Sequence, residues 1–299
     1  VAKRTYQELR TLIALPDPAA RKTLRKSLQE EGLLHCREIG ELPALGEKIG
    51  QADPDLLLVQ LDDAWNSGEL ITRIRHGLTP ANPFMVIIAL LPAASPVLVG
   101  RVIEAGADDL LLPAWLGRLV MDRLDNFVHG RKPFLVTHDY VGPERRSFLR
   151  EGEPPPPTID VPNPVQWLSA GKDDRAAFRK RVEQALDAVN LRKIKSHSKQ
   201  LRRVADQIVE AFAKGGHNAI LPLVRSMLES AEELVHRATN TEFAPIIELT
   251  TGLQTLCERL LREDRTPRAE EISVLPSLAD AVSNALYWHE KDPLPAALT

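Results

Sequence analysis

Within the first 130 residues, short runs that are apolar from end to end alternate with stretches of helical spacing. Residues 11–15 (TLIAL), 55–61 (DLLLVQL), 84–90 (FMVIIAL) and 109–112 (DLLL) read as strands, and residues 33–39 are a further short candidate between the first two. Helical steps appear between them. Residues 18–31 carry Ala20, Leu24 and Leu28, residues 68–76 place Leu70, Ile71 and Ile74 on one side, and residues 97–105 form a third helix. Residues 116–128 close the series, with Leu119, Val120, Leu124 and Phe127 facing inward. A strand apolar on both faces has to be covered on both, which helices between strands accomplish. The pattern therefore predicts a doubly wound α/β domain on a parallel sheet.

From about residue 131 the composition changes. Pro133, Pro143, the run 154–157, Pro162 and Pro164 fall within residues 131–165 and predict an extended, semi-rigid linker. Residues 166–299 then read as a separate all-α domain. A helix capped by Asp173 or Asp174 is expected to reach Lys214, where Gly215 and Gly216 stop it, with a break near Asn190 as the alternative. Further helices are expected over residues 217–237, 242–262 and from Pro267 to about His289. In the long helix, Val182, Leu186, Val189, Ile194, Leu201, Val204, Ile208 and Phe212 make one apolar stripe. A helix of ~40 residues would be ~60 Å long, more than a small bundle covers. Homodimerisation through this helix is therefore the expectation.

At 299 residues the chain is long enough for two domains, and 43% apolar with 26% charged residues is ordinary for a soluble protein. The net charge of -3 gives no general pull toward nucleic acid or an anionic membrane. Cys36 and Cys257 are far apart and fit a reducing cytoplasm as free thiols. No signal-like segment is found, and the longest apolar run is far short of the ~20 residues that a membrane span needs. A cytoplasmic, membrane-free protein is the expectation.

Three segments carry a family resemblance. Pro54-Asp55-Leu56-Leu57-Leu58-Val59-Gln60 is similar to the third strand of bacterial response-regulator receiver domains, P-D-L, three apolar residues, then the phospho-accepting aspartate. Residues 104–113 (EAGADDLLLP) resemble that family's E-A-G-A-D-D-Y-L-x-K-P, and residues 17–21 (DPAAR) its first helix start. The resemblance covers residues 10–128 and implies a five-stranded, flavodoxin-like sheet. It also implies what phosphoryl transfer requires: an acidic pair holding Mg2+, an acceptor aspartate, a Thr or Ser, and a Lys. Those positions hold Leu15 and Pro16, with Asp17 one residue late, then Gln60, then Ala89 or Leu90, then Leu112. The receiver is thus expected to be degenerate, its pocket filled by apolar residues. Asp108 and Asp109 read as a turn and strand-edge pair.

Other candidates are weaker in chemistry. Asp62 or Asp63 could stand in as acceptor, and His197, on the long stripe, as a phosphotransfer histidine, although Ser196-His197-Ser198-Lys199 lacks the usual neighbours. Arg146 and Arg150 match the R-x-x-x-R half of the PilZ signature for cyclic dinucleotides, without its D/N-x-S-x-x-G segment or barrel. Tyr140, Val141 and Phe148 are expected to pack on a domain. The basic residues 172–203 surround an apolar stripe and lack a helix-turn-helix context, so nucleic acid is not the expected partner. No Ser/His/Asp set, metal-ligand spacing or phosphate-binding glycine loop is found. The expectation is a non-catalytic adaptor, without cofactor or metal, that works through a protein partner. A regulator still phosphorylated at Asp62 or His197, or an effector binding DNA or a cyclic dinucleotide, is the alternative.

Overall fold

The computed structural model describes residues 6–62, 65, 67–112, 116–145, 158–172, 174–239, 241–262 and 267–291. The chain divides into two compact units, Val1–Ala188 and Val189–Thr299. In the first, β1 (Thr11–Ala14), α1 (Pro18–Glu30), β2 (Cys36–Ile39), α2 (Leu42–Ala52), β3 (Leu56–Gln60), α3 (Ser67–Arg75), β4 (Val86–Leu90), α4 (Pro96–Ala105), β5 (Asp109–Leu111) and α5 (Gly117–His129) follow in order. The five strands are all parallel, in the order β2-β1-β3-β4-β5. That is the flavodoxin-like doubly wound arrangement of receiver domains.

Alternation along the strands explains why the runs must be apolar throughout. Leu57 and Val59 face Leu45, Ile49, Ile71, Ile74 and Val102 of α2, α3 and α4. Leu56 and Leu58 face Leu24, Leu28, Val120 and Leu124 of α1 and α5. Helix α2 has no counterpart among the sequence expectations. Its stripe is only Leu42, Leu45 and Ile49, interrupted by Pro43, Gly46 and Gly50, which weaken a helical signal.

The proline-rich stretch is more than a connector. β6 (Phe134–Val136), β7 (Val141–Pro143) and β8 (Thr158–Ile159) form an antiparallel sheet in the order β7-β6-β8, and α6 (Pro164–Ser169) follows. Pro143 lies on the edge strand β7, where a missing N–H costs least. Phe134, Val136, Val141 and Val165 are buried, so these residues belong to the first unit's body. The compact unit ends at Ala188, past the sequence boundary of 165/166, because the first turns of α7 (Arg175–Ala238) also bond to the receiver residues.

The second unit is helical. α7 is uninterrupted at Asn190, and its one non-helical residue is Gly216. There the chain reverses: Asn190 Nδ2 donates to the Arg237 carbonyl at 3.1 Å. α8 (Ile246–Leu260) and α9 (Ala269–Lys291) complete an antiparallel four-helix arrangement. The Ser198–Ser283 hydroxyl bond at 2.7 Å and the Arg259–Glu271 pair at 2.8 Å set α9 beside the first segment and beside α8. Ile194, Leu201, Val204 and Ile208 pack with Ile220, Val224, Met227 and Leu234. The stripe that suggested a second subunit is covered by this chain's own helices in the 189–215 stretch. The length argument for a dimer therefore falls away, because the helix folds back at Gly216.

Gly106 joins α4 to β5 at φ 83°, and a Cβ there would lie 2.5 Å from the Val141 carbonyl oxygen. Both the backbone and the approach of β7 demand glycine. Gly106→Ala should cost at least ~1–3 kcal/mol from backbone strain, read as a lower urea midpoint. Gly100→Ala, facing open space on α4, should be neutral or stabilising by up to ~1 kcal/mol.

Candidate functional site

In a doubly wound sheet, chemistry belongs at the carboxyl ends of the strands. That end carries the receiver positions, and the structure brings them together with little to react. Leu15, Ala89 and Leu90 are fully buried. Gln60 ends β3, and its Nε2 donates to Asp62 Oδ2. The other Asp62 oxygen accepts from Trp65 N at 2.7 Å, so the carboxylate serves the turn into α3. Asp17 is spent as well: it caps α1, accepting from Ala19 N at 3.0 Å and Ala20 N at 3.3 Å. Arg21 donates to the carbonyls of Leu15 and Pro16 and lies 3.7 Å from Glu38, on the β2 side of β1. Leu112 is 43% exposed and does not plug the pocket, contrary to the sequence expectation, because the strand has already ended at Leu111. A divalent cation does not fit these residues: the acidic-pair positions offer no carboxylate and Asp17 is engaged elsewhere. Among the described residues no group of three or more His, Cys, Asp or Glu is placed to hold a metal.

The amino-terminal ends of the strands are where charge accumulates. Asp108 is not a solvated turn acid. Its side chain is 1% exposed and lies between Arg75 at 2.7 Å and Arg131 at 2.8 Å. It also accepts from Ile87 N at 2.8 Å. Arg75 donates to the carbonyls of Gly106, Pro83 and Met85. Arg131 donates to those of Phe84, Pro162 and Met85. Both guanidinia lie over the Phe134 ring, at 5.2 and 4.8 Å from its centroid. Arg145 donates to the Ala107 and Asp108 carbonyls. Asp109, by contrast, makes a partly exposed pair with Arg123 at 3.2 Å.

A second ionic contact sits below β1 and β3. Asp55 Oδ1 accepts from Arg175 at 2.7 Å and Oδ2 from Arg10 N at 2.9 Å. Burial nonetheless pushes its carboxyl above the ordinary value. Arg179 lies 3.9 Å from Asp53, and Arg181 and Lys172 cover the Trp167 ring. Arg202 pairs with Asp206 and Asp280, and Lys193 is fully buried. Of the basic run from 172 to 203, Arg175, Arg179 and Arg202 are thus paired with carboxylates, and Lys172 and Arg181 lie over an aromatic ring. His197 is 5% exposed. Asp63, Arg146, Arg150 and Phe148 lie outside the described residues, while Tyr140 bonds to the Pro143 carbonyl and Val141 is buried. No helix of the described residues is long and apolar enough to cross a membrane.

No protein-family model matches the chain, and no curated protein matches it. Among solved structures, the first unit is similar to a CheY-like response-regulator receiver domain from Methanospirillum hungatei JF-1. The identity is 23% and the TM-score 0.35, over 40% of this chain and 92% of that one. It is also similar to a signal receiver domain assigned to the response regulator NarL of Mycobacterium tuberculosis, at 16% identity and TM-score 0.35, over 41% of this chain and 98% of that one. A third match is the N-terminal domain of an uncharacterized protein from Wolinella succinogenes, at 20% identity and TM-score 0.34, over 40% of this chain and 94% of that one. The receiver fold assigned above rests on the strand order and not on these alignments.

Burial alone would raise the Asp108 carboxyl, but Arg131 and Arg75 outweigh it and hold it below the usual carboxylate range. Burial lowers Arg75 to about 10, with Asp108 opposing. Because the Asp108 value is depressed in the folded state, its contribution is complete above the unfolded carboxylate range near pH ~4. It is lost as pH falls through the folded value. Asp108→Asn, which strands two guanidinia without a counter-charge, should cost ~3–5 kcal/mol, while Asp109→Asn should cost ~0–1 kcal/mol. Urea unfolding at pH 7 checks both. The wild type's advantage over Asp108→Asn should shrink below about pH 4.

Proposed function

We propose that this chain is a non-catalytic signalling adaptor, built on a receiver that takes no phosphate and acting through contacts with a protein partner. One observation carries the reading: Gln60 stands where the acceptor aspartate belongs, its amide tied to Asp62, with Leu15 and Pro16 in place of the acidic pair. An acyl phosphate forms by attack of a carboxylate oxygen on phosphorus, and a carboxamide has no such nucleophile. Without a metal to neutralise the transferring group, Asp62 is a poor substitute.

Exposed apolar side chains support contact with a partner. Leu112, Leu116 and Leu119, at 43, 53 and 38% exposure, follow one another from the end of β5 into α5. Nucleic acid is disfavoured because the basic run lacks a helix-turn-helix context and part of it, Arg175 and Arg202 above all, is held by carboxylates. A phosphotransfer role for His197 would require local opening of the helices around it. The reading assigns no reaction, no cofactor and a cytoplasmic location.

Intact mass is the deciding measurement, taken after incubation with Mg2+ and acetyl phosphate, and separately with a promiscuous histidine kinase and ATP. An unchanged mass in both is expected. A gain of one phosphoryl group overturns the reading, and mapping it to Asp62, Asp63 or His197 would assign the replacement role.

A further inference from the structure

Antiparallel helices are ordinarily joined by loops of about 2–5 residues. In the second unit, the two segments of α7 are joined by one non-helical residue, Gly216, at φ 65° and ψ -153°. This is backbone that essentially only glycine adopts. The reversal it makes is complete. Asn190 and Arg237 bond to each other in both directions, at 3.1 and 3.3 Å. Ile194 and Leu234 lie fully buried in one apolar cluster. These pairs are symmetric about the turn, as a hairpin folded at residues 214–216 requires.

Within the second unit, the first segment is covered from beyond that turn. Ile194, Leu201, Val204 and Ile208 are covered by residues of the returning segment, α8 and α9. Ser198 bonds to Ser283, and Arg202 bonds to the Pro276 carbonyl and pairs with Asp280. Changing one residue's φ and ψ to helical values would run Arg175–Ala238 on as one helix, bent only where Pro222 removes a backbone N–H. Each of these contacts could then be remade by the same residues of another molecule, and the 190–237 and 198–283 bonds are indifferent to which copy provides them. A hinge this short favours such an exchange, since opening relieves the turn while conserving the interface.

We propose that Gly216 is an exchange hinge, and that a second copy of this chain is the partner. With α7 straightened, two molecules trade the helices following residue 216 and form a swapped dimer. This inference goes beyond the adaptor reading and does not depend on the receiver pocket.

The full-length chain is tested by light scattering after size exclusion. Gly216→Ala disfavours the turn and favours the straight helix, so it should shift the mass from 33.2 kDa to double that value. A variant with four Gly/Ser residues inserted between Gly215 and Gly216 should remain at the monomer mass at every concentration. The wild type should show a dimer that grows with concentration and that the insertion abolishes. If Gly216→Ala fails to fold, the wild type and the insertion variant still decide the matter. A folded, monomeric Gly216→Ala, a wild type monomeric throughout, or an insertion variant that dimerises like the wild type would each overturn the hinge.

Discussion

The ionic knot around Asp108 is the contact on which the first unit's architecture turns. One carboxylate, buried to 1% exposure, is shared by Arg75 of α3 and Arg131 of the strand-rich segment. Separate chain segments meet at this one group, and the guanidinia reach the carbonyls of residues 83–85, 106 and 162 besides. Taking such charges out of water is expensive, and it is offset only because both arginines spend their remaining N–H groups on carbonyls. The Phe134 ring under both guanidinia closes the site to solvent. Once this knot exists, β6–β8 cannot behave as a free linker.

The sheet has, in effect, reversed the usual division of labour between its ends. Carboxyl ends of parallel strands normally hold the polar groups that bind and react. In this chain that end is reduced to buried leucines, a glutamine and two aspartates serving turns. Charge has gathered at the amino ends, where Asp108 and Asp55 are gripped by five guanidinium or amide donors between them: Arg75, Arg131, Arg175 and the Arg10 and Ile87 N–H groups. The carboxyl end holds Leu15, Pro16 and Gln60, while the buried ion pairs of Asp108 and Asp55 stand at the opposite end.

What the sequence made readable follows the range of the forces involved. Residues 56–59 and 84–90 are unmistakable as strands because burial on both faces leaves no room for a polar residue. The identity of Gln60, Leu15 and Pro16 needed only their place in that frame. Asp108 was visible as part of E-A-G-A-D-D, but its partners lie 33 and 23 residues away and no periodicity announces them. The strands β6 to β8 are two or three residues long and pair across unrelated segments, so prolines dominated the local signal. Leu112 misled for a related reason. An apolar residue in a polar position suggests filling, yet its exposure depends on where β5 stops. The stripe of α7 was legible, whereas the identity of its cover was not, since a 3.6-residue repeat records that a face is buried and not which helices bury it.

A receiver ordinarily works by having two arrangements and a ligand that prefers one. An equilibrium can be shifted only by as much as the ligand's affinities for the two states differ. If no phosphoryl group and no metal bind at the carboxyl end, that differential is zero, and whatever surface the domain presents is presented always. On the proposed adaptor reading, regulation must therefore enter elsewhere: through the abundance of the protein, through the partner, or through the helical unit. The last of these is where the proposed exchange hinge lies, at the non-helical Gly216. On the two proposals, loss of the chemical switch and an exchange hinge at Gly216 are compatible because they lie in separate units. Assembly state can then carry information that a fixed receiver surface cannot.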